Sequence, residues 1–259
     1  MTSWLVTRFH RWGSPSWFLR YTVFWPWVLG VVGMSALLGG AVWGLAFAPI
    51  DHLQGNSYRI IYIHVPAAFL AQSAYVGMGL ASIVFFVWKI KLADQAAQAM
   101  APIGAWITAL TLATGAIWGK PTWGAYWIWD ARITTMFILF LLYLGILLLR
   151  RAIANPRAAA NAVAILTIIG LINIPLIKYS VDWWFTLHQP ASLKLTEGPT
   201  MPASMWVPLV IMILAIYMVF AWMVLVRMRT LVMQTRQPPQ PAHTQPAQIA
   251  VPTETYSET

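Results

Sequence analysis

The chain of 259 residues is 59% hydrophobic and only 9% charged, with 16 Trp and a mean hydropathy of +0.67. An average soluble domain carries about 25% charged residues, so this composition reads as an integral membrane protein with no room for a large soluble domain. The lack of Cys excludes disulfide scaffolds, iron–sulfur clusters, thiolate zinc sites, haem-thiolate chemistry and covalent c-type haem attachment to this chain.

Six stretches are free of Lys, Arg, Asp and Glu: Tyr21–Ile50, Ile60–Trp88, Gln95–Gly119, Ile133–Leu149, Ala158–Ile177 and Gly198–Val226. A spanning helix needs roughly 20 apolar residues, within a range of about 17–25, and all six qualify. Period-2 alternation is absent, which argues against a membrane β-barrel. The expected fold is therefore an all-α membrane protein of six transmembrane helices. The first stretch ends in Ala46-Phe47-Ala48, similar to a signal-peptidase site. Its apolar run is about twice the 7–15 residues of a cleaved signal, so it is expected to stay as the first helix.

The 16 Lys+Arg against 7 Asp+Glu give a net charge of +9, and its placement explains it. Arg8, Arg11, Arg20, Lys89, Lys91, Arg150, Arg151, Arg157, Arg227, Arg229 and Arg236 fall at the termini and even-numbered connections. Only Arg59, Lys120, Arg132, Lys178 and Lys194 fall on the other side, with Asp51, Asp130, Asp182 and Glu197. The positive-inside rule then sets both termini in the cytoplasm and the odd connections outward, and a nucleic-acid patch is not needed. Residues 1–230 form the expected membrane domain. Residues 231–259, rich in Pro and Gln, bury too little to order themselves and are expected to be a disordered cytoplasmic tail. No internal repeat or phosphate-binding glycine loop is present.

The groups able to do chemistry gather on the outward side. His10 and His243 lie in the terminal segments, whereas His52, His64 and His188 lie in or beside outward connections. His64 opens the second helix, with Pro66 expected in its tolerant first turn. His188 follows Trp183 and Trp184 on the third outward connection. Between the two histidines in sequence, Trp118, Trp123, Tyr126, Trp127 and Trp129 fall close together, flanked by Lys120 and Arg132. A helical Trp123–Asp130 would set Trp123, Trp127 and Asp130 on one face.

Alone, each feature has a plain explanation: Trp and Tyr belt both membrane interfaces, and long cations snorkel at helix ends. Together, imidazoles, a flat aromatic platform and cations suit a planar, apolar, dianionic ligand with a metal at its centre, which is haem. Imidazole ligates the iron, Trp rings pack on the porphyrin, and Lys or Arg pair with the propionates. With no Cys, and only Met201 and Met205 as outward thioethers, two imidazoles are the simplest axial set.

The run Trp123-Gly124-Ala125-Tyr126-Trp127-Ile128-Trp129-Asp130-Ala131-Arg132-Ile133-Thr134 resembles the "WWD" signature of the haem-handling proteins of cytochrome c biogenesis. Ile133, where Leu is usual, is a conservative departure. Six helices, one His opening the second and one following the fifth resemble the cytochrome c maturation protein C (haem exporter protein C) family, from about Trp17 to Arg229. The resemblance implies haem b held non-covalently at the outer, periplasmic face of the bacterial inner membrane, with His64 and His188 as axial ligands. It implies presentation of that haem to a periplasmic haem chaperone. It also implies assembly with an ATP-binding cassette ATPase, a permease-like subunit and a small single-span subunit, the chain itself being no enzyme.

Lys120 and Arg132 are the first candidates for the propionates, then Arg59 near His64 and Lys178 before His188. Asp130 is left with three roles: orienting a ring N–H, tethering Arg132 or contacting the partner. His52 or a partner's residue stands as an alternative to one of the two ligands. The rival readings are a transporter or channel, which would show mid-membrane charges or discontinuous helices, and a structural subunit whose Trp loops only anchor or dock. Asn173 and Pro175 mark a place for a break in the fifth helix. A larger ligation protein of the same superfamily would need more helices.

Overall fold

Several changes of direction fall on residues suited to start or stop a helix, such as Gly124, Asp130 and Asn155. The computed structural model describes residues 13–184, 186–188, 193–194, 198–199 and 201–236. Arg8, His10, Arg11, Glu197 and the Pro/Gln-rich segment from residue 237, with His243, lie outside the described residues. A short helix α1 (Pro15–Tyr21) leads to α2 (Trp25–Val42), which continues as a π-helical turn over Trp43–Phe47. A 3-10 turn, Asn56–Ile60, runs into α3 (Ile61–Trp88). Lys89 in the left-handed region (φ 55°) ends α3, and α4 (Lys91–Trp123) begins after Ile90.

Helix α5 (Ala131–Ala152) is followed by α6 (Pro156–Gly170). There Asn155 caps the N–H groups of Arg157 and Ala158 at 2.9 and 3.2 Å, and Pro156 takes the first turn, where its missing N–H costs nothing. Helix α7 (Asn173–Trp183) completes the fifth span, and α8 (Ala203–Gln234) makes the sixth. A two-residue antiparallel ladder, β1 (Leu193–Lys194) with β2 (Gly198–Pro199), lies between α7 and α8.

Among the described residues six helical stretches are long and apolar enough to cross a membrane: Trp25–Phe47, Asn56–Trp88, Lys91–Trp123, Ala131–Ala152, Pro156–Trp183 and Ala203–Gln234. They coincide with the six charge-free stretches. The break expected at Asn173 is present: the chain turns at Leu171–Ile172, and the buried Asn173 amide donates to the Thr135 carbonyl at 2.9 Å. Helix α8 runs to Gln234, past the expected domain end at residue 230, because Met228 and Val232 stay buried against Phe18 and Ala99.

Helix α3 lies along α4 and α2 along α8, with α5, α6 and α7 closing one side. The main core joins Tyr75, Met78, Leu139, Tyr143, Ile146 and Val163, where the Tyr143 hydroxyl donates to the Ala71 carbonyl at 2.9 Å. One end of the bundle is held by polar ties. Arg150 donates two hydrogen bonds to Asp94, one of 3.0 Å. Arg229 donates to the Leu19 carbonyl at 2.9 Å, and Arg236 to Ser16 at 2.7 Å. These ties bring α1 and the end of α8 together at one end of the bundle. The aromatic connections gather at the other.

Candidate functional site

One face of α4 is written for a partner. Thr111, Gly115, Trp118 and Thr122 recur at helical spacing and line one cavity, with Thr114 beside them reaching α3. His64 on α3 sits against them, 8% exposed. Its Nδ1 lies 3.0 Å from the Thr114 hydroxyl, which itself reaches the Leu110 carbonyl at 2.7 Å and the Thr111 carbonyl at 3.2 Å. A hydroxyl has one hydrogen, and a carbonyl can only accept it. With that hydrogen on either carbonyl, the Thr114 oxygen accepts from His64, which is the tautomer with the proton on Nδ1 and the Nε2 lone pair open to a ligand. Gly115 makes room for the ring, since a β-carbon there would lie 3.0 Å from His64 Cε1. Trp118 meets His64 edge-on at 5.7 Å and donates its indole N–H to Gln54 at 2.7 Å. Pro66 lies in the second turn of α3 rather than the first, because the 3-10 turn Asn56–Ile60 starts the helical run earlier.

The Trp-rich run is not helical after Trp123, so the shared face of Trp123, Trp127 and Asp130 does not form. Gly124 takes φ 78°, a left-handed stop that a residue with a β-carbon resists, and its N–H returns to the Lys120 carbonyl at 3.1 Å. Asp130, with extended backbone, starts α5 by accepting the Ile133 N–H at 2.8 Å. Between these two signals the chain is open. Trp127 and Trp129 meet edge-on at 5.3 Å and both pack on Phe137. The second oxygen of Asp130 accepts a hydrogen bond from the Thr186 hydroxyl, and that oxygen of Thr186 accepts the His188 N–H at 3.1 Å. The acid thus ties two outward connections together, a role beyond the three expected for it, while its charge also acts on Arg132 two residues on.

The His188 ring stands 6.4 Å from the His64 ring and 6.2 Å from Trp123, centre to centre. Both histidines line a cavity of about 180 Å³ with Trp118, Trp123, Tyr126, Trp127 and Arg132. Much of the remaining lining is apolar, including Ile61, Val65, Phe69, Met136 and Ile177. An imidazole nitrogen lies about 2 Å from a bound metal, so a shared metal needs ring centres separated by about 4 Å plus half the width of each ring. The observed distance meets that. Among the described residues no three His, Asp or Glu side chains cluster as for a bare ion, so this pair suits a metal that brings its own equatorial ligands. In the wall the Trp127 indole N–H is buried without a partner, and the Arg132 guanidinium has the Asp130 and Asp182 carboxylates near enough to attract it.

The other candidate residues sit elsewhere. Arg59 donates to the carbonyls of Leu45 and Ala48 at 3.0 and 2.7 Å, and so ties the first two spans. Lys120 donates to the Gly124 carbonyl at 3.0 Å and lies over Tyr126. Lys178 lies over the Tyr179 ring, on which Trp183 stacks with Trp184 at its edge. Trp129 is 70% exposed. The His52 side chain is 84% exposed beside Asp51. Met205 is buried among Tyr58, Tyr62 and Met212, with Met201 packed on that group. None of these lines the cavity. Sequence reading missed Thr114, Gly115 and Thr186. Helical spacing from Trp118 points to the first two, and a Thr two residues before His188 is a short-range backbone-bonding motif that points to the third.

A family model described as "Heme exporter protein C" matches residues 8–242. The chain is 51% identical over 194 residues to "Heme exporter protein C" of Haemophilus influenzae, covering 74% of this chain and 79% of that one. It is 44% identical over 218 residues to the Escherichia coli K12 protein of the same name, covering 83% and 87%. It is also 42% identical over 190 residues to a "Putative cytochrome c biosynthesis ccmC-like mitochondrial protein" of Marchantia polymorpha, covering 73% and 77%.

Proposed function

This chain belongs to the heme exporter protein C family, and on that premise we propose that it holds haem b, without a covalent bond, between His64 and His188 and presents it to a periplasmic haem chaperone in cytochrome c biogenesis. The observation that carries the reading is the pair of imidazoles 6.4 Å apart on the walls of one aromatic cavity. The proton on His64 Nδ1, held by Thr114, leaves Nε2 as the donor toward the iron. Trp118, Trp123 and Trp127 are the packing surface for the porphyrin, and the apolar residues that share the lining favour an apolar ligand. Arg132 is the partner for a propionate, with the Trp127 N–H as a second donor. Lys120, Arg59 and Lys178 are engaged with their own neighbours and drop to minor roles.

With an imidazole on each side the iron offers no position for oxygen, so the site carries haem without activating it. The distribution of Lys and Arg supports a site on the periplasmic face of the inner membrane with cytoplasmic termini. The ATP-binding cassette ATPase, the permease-like subunit and the small single-span subunit are its expected partners, and ATP hydrolysis belongs to the first of these.

Absorption spectra of the protein purified in mild detergent, with His64→Ala and His188→Ala beside it, test the ligands. A sharp Soret band with split low-spin bands on reduction, shifted to high-spin or lost in either variant, is the expected result. No Soret band in the unaltered protein after adding haemin overturns the reading. One observation favours a second reading, a haem conduit: the fifth span is interrupted at Leu171–Ile172, and Ile177 just beyond lines the cavity. That reading requires haem to cross proteoliposomes containing this chain alone.

A further inference from the structure

The Trp-rich run and the connection bearing His188 are distant in sequence, yet one carboxylate joins them. Asp130 divides its two oxygens. One caps α5 through the Ile133 N–H at 2.8 Å, and the other accepts the hydroxyl of Thr186. A carboxylate has no hydrogen to give, so the single hydrogen of Thr186 must point at Asp130. The lone pairs of the same oxygen are then turned to the His188 N–H, 3.1 Å away. The direction of every bond in the chain Asp130–Thr186–His188 is fixed by what each group can donate. Because one end is anionic, the first bond is of the stronger, charge-assisted kind. The anchor is also rigid: Asp130 is locked to the first turn of a 22-residue helix that carries Arg132 in the same turn.

We propose that Asp130 and Thr186 are positioning residues that hold the backbone of His188 so that its ring faces His64 across the cavity. The proposal rests on His188 being an axial ligand. It assigns the acid of the Trp-rich run the task of coupling the aromatic platform to the second ligand, so that the two keep one geometry. Nothing in the chain requires Asp130 to touch the haem.

Thr186→Val keeps the shape and removes the hydroxyl, whereas Thr186→Ser keeps the hydroxyl. Thr186 lies on a connection outside the spans, so both variants are expected to fold, and size-exclusion profiles in detergent check this. In the full-length, haem-free protein, amide hydrogen exchange at His188 is expected to quicken about tenfold in Thr186→Val and to return to the original rate in Thr186→Ser. After loading with haemin, Thr186→Val is expected to show a high-spin fraction and to lose haem to apomyoglobin about 10–100-fold faster, again rescued by Ser. Asp130→Asn keeps the oxygen that caps α5 and is expected to follow Thr186→Val.

If His188→Ala turns the spectrum high-spin while Thr186→Val leaves exchange and spectrum unchanged, the positioning role is overturned and the ligand stands. If His188→Ala leaves the low-spin spectrum intact, the ligand reading itself falls and the positioning role falls with it.

Discussion

The two histidines that face each other across the cavity are held by different kinds of structure. His64 is part of a 28-residue helix packed along another, and its surroundings are set by helical repeat: Thr114, Gly115 and Trp118 of α4 arrive beside it because they share one stripe. His188 sits on a connection, and its backbone N–H is held by the hydroxyl of Thr186 on the same connection, which in turn is held by the Asp130 carboxylate at the start of α5. A helix delivers a ligand through shape and needs only space and a tautomer partner. A connection delivers one through polar ties, because it has no repeat to fix direction. Changes on the α4 side should therefore act through crowding, and changes on the loop side through loss of hydrogen bonds.

Gly115→Val gives the strongest test of the shape side. A β-carbon at this position already stands 3.0 Å from His64 Cε1, and the valine methyls reach further. The ring must turn away, and haemin affinity in detergent is expected to fall about 100-fold, while the helix loses nothing in propensity, since Gly is the poorer helix former. Unchanged affinity would mean that His64 does not carry the ligand in this position. Thr114→Val is the gentler change on the same ring. It keeps the volume and removes the acceptor that holds the Nδ1 proton, so affinity is expected to drop about 10–100-fold, with Thr114→Ser restoring it.

The same contrast explains which parts of the molecule were legible beforehand. The six spans were, because a bilayer leaves a helix no alternative to a long charge-free run; Tyr21–Ile50 holds Trp25–Phe47, and Ile133–Leu149 sits inside Ala131–Ala152. The break at Asn173 was legible for a similar reason: a buried amide in a span needs a partner, and Thr135 provides it. The path of the Trp-rich run was misjudged. Its aromatic spacing suggested a helical face, while Gly124 and Asp130 carried the opposite message, one stopping a helix and the other starting the next. The cations were harder still. Arg59, Lys120 and Lys178 lie near the right residues in sequence, but side-chain direction depends on which carbonyls and rings fold back within reach. Of the four candidate cations, Arg132 alone lines the cavity.

Arg132 and Lys120 flank the same aromatic run and offer the next step of the comparison. Arg132 is partly buried in the cavity wall, so its guanidinium is available to a carboxylate out of reach of bulk water. Arg132→Gln is expected to weaken haemin binding about tenfold, as for loss of one charge-assisted hydrogen bond. The dimethyl ester of haemin, which has no carboxylates, should bind the two proteins alike. Equal weakening for haemin and its ester would assign Arg132 to packing instead.

Lys120→Ala is expected to do least. Its ammonium is exposed, lies over Tyr126 and donates to the Gly124 carbonyl at 3.0 Å, at the point where α4 stops. Water replaces that bond readily, and the turn is already held by the Gly124 N–H on the Lys120 carbonyl. Exposed ionic contacts contribute little, so haemin affinity should change by less than about twofold, with the low-spin spectrum intact. A fall as large as that of Arg132→Gln would move the carboxylate end of the ligand out of the cavity and onto the rim of the Trp-rich run. The proposed propionate contact would then pass from Arg132 to Lys120, beside Tyr126.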